Sequence, residues 1–322
     1  MQFDISCVRG YRHNFCCHRD WASKTLYNLM YTNWSLTAMW MSTMISDQEY
    51  QLLAGSPTVL SKIQGWKLSR VRGDSMHCVN LGTSHHAIGG CLWFLVRKRA
   101  YRWLGPANST CLPADAPDHT ILHDLQIRFK EWLKDHKLAC STKRFTLASI
   151  HRESASDLPL FKRKAAQSPF LVTWLAEITH IFAHKMVGST EEATAQLVAA
   201  CMWGLADYFH MLKSHGRFFT EAQAERLSRS GHVFLYMYSE LAKVDEPNSW
   251  HIVPKFHQMQ HLLLDVLQDK VNPRFFTCFC DEDMVGQMLL VARAGHALTV
   301  VASAVDNYIV GLKLRLSGGV QP

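Results

Sequence analysis

"WKLSRVRGDSMHCVNLGTSHHAIGGCLWFLV", residues 66–96, starts like a strand and finishes like a buried helix. Its first part, 66–74, alternates in polarity and ends on Gly73-Asp74, the pattern of a strand running into a turn. From about Leu81 or Ser84 to Val96 the residues are apolar or small. That spacing predicts a helix in which Gly89 and Gly90 allow close packing. Asp74 stands at the junction, where two readings are open. Asp is a common residue at a helix start, where its carboxylate caps free N–H groups. Asp held at the end of a strand is a metal-binding carboxylate.

Downstream, helical periodicity dominates. Leu122, Leu125, Phe129 and Leu133 share one face of a helix starting near 120. "SPFLVTWLAEITHIFAHK", 168–185, carries the stripe Leu171, Trp174, Leu175, Ile178 and Phe182, with Ser168 as cap and Pro169 at the first helical position. The next helix starts on acids and stops at Gly216, and the one after it is capped by Thr220. The stripes around Trp174 and Trp203 are expected in the core. "HIVPKFHQMQHLLLDVLQDK" is a further helix, "NPRFFTCF" reads as a second strand, and two helices follow, the last over roughly 297–316. The fold class expected is therefore mainly α (α+β), with a helical body between two short strand-then-helix units.

The 322 residues are 48% hydrophobic, enough for a sizeable core and unlike a disordered chain. The formal charge is +7, from 34 Lys and Arg against 27 Asp and Glu, with 18 His besides. That excess favours polyanionic partners only mildly. The ten cysteines form no spaced framework, and "MQFDISCVRG" has no apolar signal segment, so reduced thiols and a nuclear or cytoplasmic location are expected. No run reaches the length of a membrane span.

Three segments in one order resemble a known class. "GDSMHCVNLGTSHHAIGGCLWFL" is similar to the D-x-M-H segment of cut-and-paste transposases of the CACTA and Kyakuja-Dileera-Zisupton kind. "VPKFHQMQHLL" resembles their Pro-Lys-Phe-His segment, and "NPRFFTCFCDEDMVGQM" their strand followed by Glu-x-x-x-Gly. The resemblance covers roughly residues 30–315. It implies an incomplete RNase H-like core interrupted by a large helical insertion. The segments would be 1–35 (irregular, Cys/His-rich), 36–103 (first part of the core), 104–250 (insertion) and 251–322 (last part of the core with C-terminal helices). It also implies a DDE site in which Asp74 is the second acid and Glu282 the third, with Asp281 and Asp283 as substitutes. Such acids hold two Mg²⁺ ions about 4 Å apart that activate the attacking oxygen and stabilise the leaving one. The first acid has no clear match: Asp4 alone has a strand-like setting, and Asp20 follows a Cys-His-rich run. The chain thus reads as the back half of a transposase. It is expected to bind DNA, with cleavage and strand transfer belonging to the intact form. The alternative is a non-catalytic DNA-binding or protein-interaction module derived from a mobile element.

The remaining candidates follow from residue chemistry. Arg97, Lys98, Arg99 and Arg102, then Lys143 and Arg144, then Lys162, Arg163 and Lys164 are three basic clusters that could contact phosphates. Tyr101 and Trp103, interleaved with the first cluster, could stack on bases. His77 could hydrogen-bond Asp74 or a phosphate. His257 and His261, four apart on a helix, can share a metal. HQMQH lacks the Glu of the zinc-protease motif, so packing and hydrogen bonding are the ordinary reading. Cys7, His13, Cys16, Cys17 and His18 offer zinc ligands without the paired spacing of a finger. The expected partners are DNA and a second copy of the chain, not a membrane.

Overall fold

The computed structural model describes residues 14–54, 62–105, 112–154 and 156–279, with isolated helical positions between 285 and 313. The chain divides into two units, Met1–Phe276 and Thr277–Pro322. In the first, seven α-helices follow one another among the described residues: α1 (Asp47–Ala54), α2 (Ser84–Arg97), α3 (Asp118–Asp135), α4 (Ser168–Lys185), α5 (Glu192–Ser214), α6 (Glu221–Val244) and α7 (Pro254–Asp269). In the second unit Val285, Leu289, Val305 and Ile309 are among the positions with helical backbone. The protein is mainly helical, and the described residues form no sheet. Their extended pairings are isolated bridges at Phe15–Ser23, Ser23–Met30 and Phe218–Val271. Among them no helix is long and apolar enough to cross a membrane.

Both expected strands are absent from the described residues, for local reasons. Residues 66–74 turn through a 3₁₀ helix at Leu68–Arg70, and the Leu68 N–H is taken by Asp47 Oδ1 at 2.7 Å. At 272–276, Pro273 has no N–H to give a ladder, and Asn272 Oδ1 accepts the Arg274 N–H at 3.0 Å. A 3₁₀ helix, Pro273–Phe275, results. Turn chemistry outweighs the alternation of side chains at both places.

The helices form as their spacing predicts. All four stripe residues of α3 and all five of α4 are buried. Trp174 is 1% exposed and meets Phe129 with ring centroids 5.2 Å apart. Burying a large apolar side chain is worth about 1.5–3 kcal/mol, so these stripes hold the helices together. Thr220 caps α6 reciprocally: its Oγ1 accepts the Gln223 N–H at 3.3 Å, and Gln223 Oε1 accepts the Thr220 N–H at 2.9 Å. Two expectations are corrected. Ser168 is not a side-chain cap: its hydroxyl donates to the Asn80 carbonyl at 2.7 Å, and a 3₁₀ turn, Ala165–Gln167, precedes α4. Trp203 is 59% exposed, because the buried face of α5 runs through Val198, Met202, Leu205 and Tyr208 and leaves position 203 outside it.

The short connections bring α4 against α5, α5 against α6, and α6 against α7. Ahead of α2, Met76–Thr83 has π-helical hydrogen bonding and packs on α7. Nearly every residue of α2 is buried, which makes it the central helix. Gly89 explains part of that: a Cβ there would stand 2.7 Å from the Leu160 backbone N. Residues 14–46, by contrast, hold turns, short 3₁₀ pieces and two of the isolated bridges around a small cluster of Cys17, Ala22, Ala38 and Trp40.

Candidate functional site

Asp74 is 4% exposed and opens the helical run that leads into α2. Its Oδ1 accepts the Met76 N–H at 3.0 Å and its Oδ2 the His77 N–H at 3.2 Å. The His77 ring turns back, and its Nδ1 hydrogen-bonds Asp74 Oδ2. This is the helix-start role: the carboxylate supplies the acceptors that the first N–H groups lack. Glu282, Asp281 and Asp283 lie outside the described residues. No group of three or more ligand-type side chains among the described residues brings a second carboxylate to Asp74.

The basic clusters separate into two kinds. In the first, every cation is occupied within the fold. Arg97 pairs with Asp245 at 2.6 Å and Glu246 at 3.1 Å, and Lys98 with Glu191 at 2.5 Å. Arg99 donates to the Ala116 carbonyl and Arg102 to that of Ala114. Tyr101 is buried and donates to the Pro113 carbonyl at 2.7 Å, so it is not available for stacking, while Trp103 is exposed. The second and third clusters meet. Lys143, Lys162, Arg163 and Lys164, with Ser141, Thr142 and Gln167, line an open cavity of about 560 Å³. Arg163 lies over the Phe161 ring at 4.1 Å and donates to the Arg144 carbonyl at 3.1 Å, which fixes its guanidinium. Lys162 also lines a neighbouring cavity of about 600 Å³ with Lys255, His85 and His86. Among the described residues no carboxylate is ion-paired to Lys143, Arg144, Lys162, Arg163 or Lys164.

His257 and His261 point from α7 into the irregular segment before α1. Asp20 Oδ2 stands 3.0 Å from His257 Nε2 and 2.8 Å from His261 Nε2. The two Nε2 atoms are 3.2 Å apart, and Cys17 Sγ is 3.3 Å from His261 Nε2. All four residues are buried. Trp40 closes the cluster edge-on, 4.5 Å from the His257 ring and 5.5 Å from that of His261. One turn further along α7, Asp265 takes Arg19 in a two-pronged pair of 2.8 and 2.9 Å, and Arg72 joins Asp265 at 2.5 Å. Burial pushes the Asp20 carboxyl up, but the two imidazoles outweigh it and hold it well below the usual carboxylate range. Burial also pulls the His261 pKa down to about 4 and, with Asp20, lifts the Cys17 thiol well above its usual value.

Asp20 and Asp265 are the residues that sequence reasoning did not assign. The signal for Asp265 is the four-residue spacing of His257, His261, Asp265 and Asp269, which sets four polar side chains in one row along α7. Of the N-terminal zinc candidates, Cys17 enters the cluster, while the Cys16 thiol faces the Ala22 carbonyl at 3.9 Å. Cys7 and His13 lie outside the described residues. No family model matches the chain, and neither a curated protein nor a solved structure matches it.

Proposed function

We propose that this chain is a helical DNA-binding module of the transposase-derived kind, which grips backbone phosphates in the cleft of Lys143, Lys162, Arg163 and Lys164. The observation that carries the reading is the absence, among the described residues, of any ion-paired carboxylate on these four cations and Arg144, in a molecule whose other basic cluster is bound internally. Unpaired cations repel one another, so collecting them in one polar cleft costs free energy that an anionic ligand returns. A polyphosphate backbone suits the site, because Lys and Arg release its condensed counterions whatever the base sequence. The Phe161 ring and the carbonyl contacts hold Arg163 ready for a phosphate, which lowers the ordering cost of binding. Magnesium-dependent cleavage, which the transposase resemblance attaches to Asp74 and Glu282, is a separate matter. The DNA contact does not need it, nor does it need an RNase H-like sheet.

The test is DNA affinity as a function of salt for the whole chain and for Lys143→Ala/Lys162→Ala/Lys164→Ala. Each lost phosphate contact removes roughly 0.9 from the slope of log K against log salt, so the triple variant should bind at least about tenfold more weakly, with a slope shallower by roughly 2–3. Equal affinity and equal slope in the two proteins would put the DNA contact elsewhere or nowhere.

A further inference from the structure

We propose that Cys17 Sγ, Asp20 Oδ2, His257 Nε2 and His261 Nε2 bind one zinc ion as a closed structural centre that fastens the irregular N-terminal segment to α7. The proposal is independent of the DNA reading.

The four contacts fit a metal better than they fit protons. A ring nitrogen has a single lone pair or a single N–H, directed in the ring plane. His261 Nε2 nevertheless has three heavy atoms close by: Asp20 Oδ2 at 2.8 Å, His257 Nε2 at 3.2 Å and Cys17 Sγ at 3.3 Å. If His261 donates to Asp20, it cannot accept the Cys17 thiol proton. If it accepts from Cys17, its contact with the carboxylate has no proton. The two Nε2 atoms also converge on the same carboxylate oxygen, so two N–H groups aimed at it would crowd each other. A cation at the centre resolves all of this, because each ligand atom then directs a lone pair at one point.

Distance, charge and ligand type agree. Zinc bonds of about 2.0–2.3 Å in a tetrahedron set ligand atoms roughly 3.3–3.7 Å apart. The four ligand atoms here all lie within 4.8 Å of one another, and the four pairs described above at 2.8–3.3 Å. Those four of the six pairs therefore open by a few tenths of an ångström to admit the ion. Thiolate with imidazole selects zinc over magnesium or calcium. A thiolate and a carboxylate balance the two positive charges of the ion, so the buried centre is neutral. Imidazole ligates in its neutral form, and binding releases the Cys17 proton to solvent. Four protein ligands, with Cys17, Asp20 and His257 at 0% and His261 at 4% exposed, leave no position for substrate, which is the mark of a structural centre. Its effect falls on residues 14–46, which have little regular backbone hydrogen bonding of their own and gain order from a cross-link to a buried helix.

The whole chain, purified without chelators, should carry about one zinc by elemental analysis. Cobalt exchanged into it should give tetrahedral ligand-field bands and a thiolate-to-cobalt charge-transfer band. In Cys17→Ser that charge-transfer band should vanish. His257→Gln/His261→Gln should lose the metal; if that variant does not fold, chelation of the wild type should lower its melting temperature instead. A folded wild-type chain that takes up neither zinc nor cobalt overturns the proposal. So does a charge-transfer band that survives in Cys17→Ser, since the metal would then sit on other cysteines.

Discussion

Asp74 shows how one side chain can satisfy a sequence expectation in its plainer form. It caps the helical run and binds His77, and both of its oxygens are used for that. Removing it strands buried N–H groups. Asp74→Ala should lower unfolding stability by about 1–2 kcal/mol, seen as a lower urea midpoint at unchanged slope, and should leave DNA affinity as it was. A variant as stable as the wild type would remove the capping role. The same attention to partners divides the arginines: Arg97 and Arg163 look equivalent in the sequence, yet one is neutralised by Asp245 and the other rests on an aromatic ring in an open cleft.

At the scale of the element, two tryptophans on consecutive helices have opposite fates. Trp174 belongs to the stripe of α4 and touches Phe129 and Phe145. Trp203 lies off the buried face of α5, near His180. Trp174→Ala should therefore cost about 3–5 kcal/mol, as for other large-to-small changes in a core, whereas Trp203→Ala should stay within about 0.5 kcal/mol of the parent. Denaturant titration of the two variants side by side checks this; equal losses would mean that α5 is rotated from the orientation described. α7 carries two faces at once. Phe256, Met259, Leu263 and Val266 pack into the main core, while His257, His261 and Asp265 hold the N-terminal segment.

For the whole molecule, acid should be destabilising in a defined window. Burial, then the charge of Lys255, pulls His85 down to about 4; the Arg163 N–H hydrogen bond opposes this, and the charges of Arg163 and Lys162 add to it. Burial, then His251, His85 and Lys255, pulls His86 down to about 3. In the unfolded chain both titrate near 6.5, so between about pH 6.5 and pH 4 the unfolded state binds more protons than the folded one. Stability must then fall as pH falls through that window, by about 3 kcal/mol for His85 alone. Melting temperatures between about pH 7 and pH 5 measure it, and a flat profile would mean that these imidazoles are hydrated in the folded protein. The effect belongs to no single element, since α2 supplies the histidines while α7 and the 162–163 segment supply the cations.

What the sequence by itself determined is the helical body. The stripes of α3 and α4, the Thr220 cap and the small residues of α2 are legible because amphipathic spacing and capping act within a few residues of each other. Tertiary structure decided the rest. Residues 66–74 alternate like a strand, but a strand needs a partner edge, and Asp47 and local turns claimed this backbone instead. Whether a basic cluster is open depends on which acids fold against it, which no local pattern states. The buried ladder of α7 joined Asp20 to His257 across 237 residues. Cys17, Asp20, His257 and His261 were each visible as ligand types, but contact between such distant segments is set by how the whole chain packs.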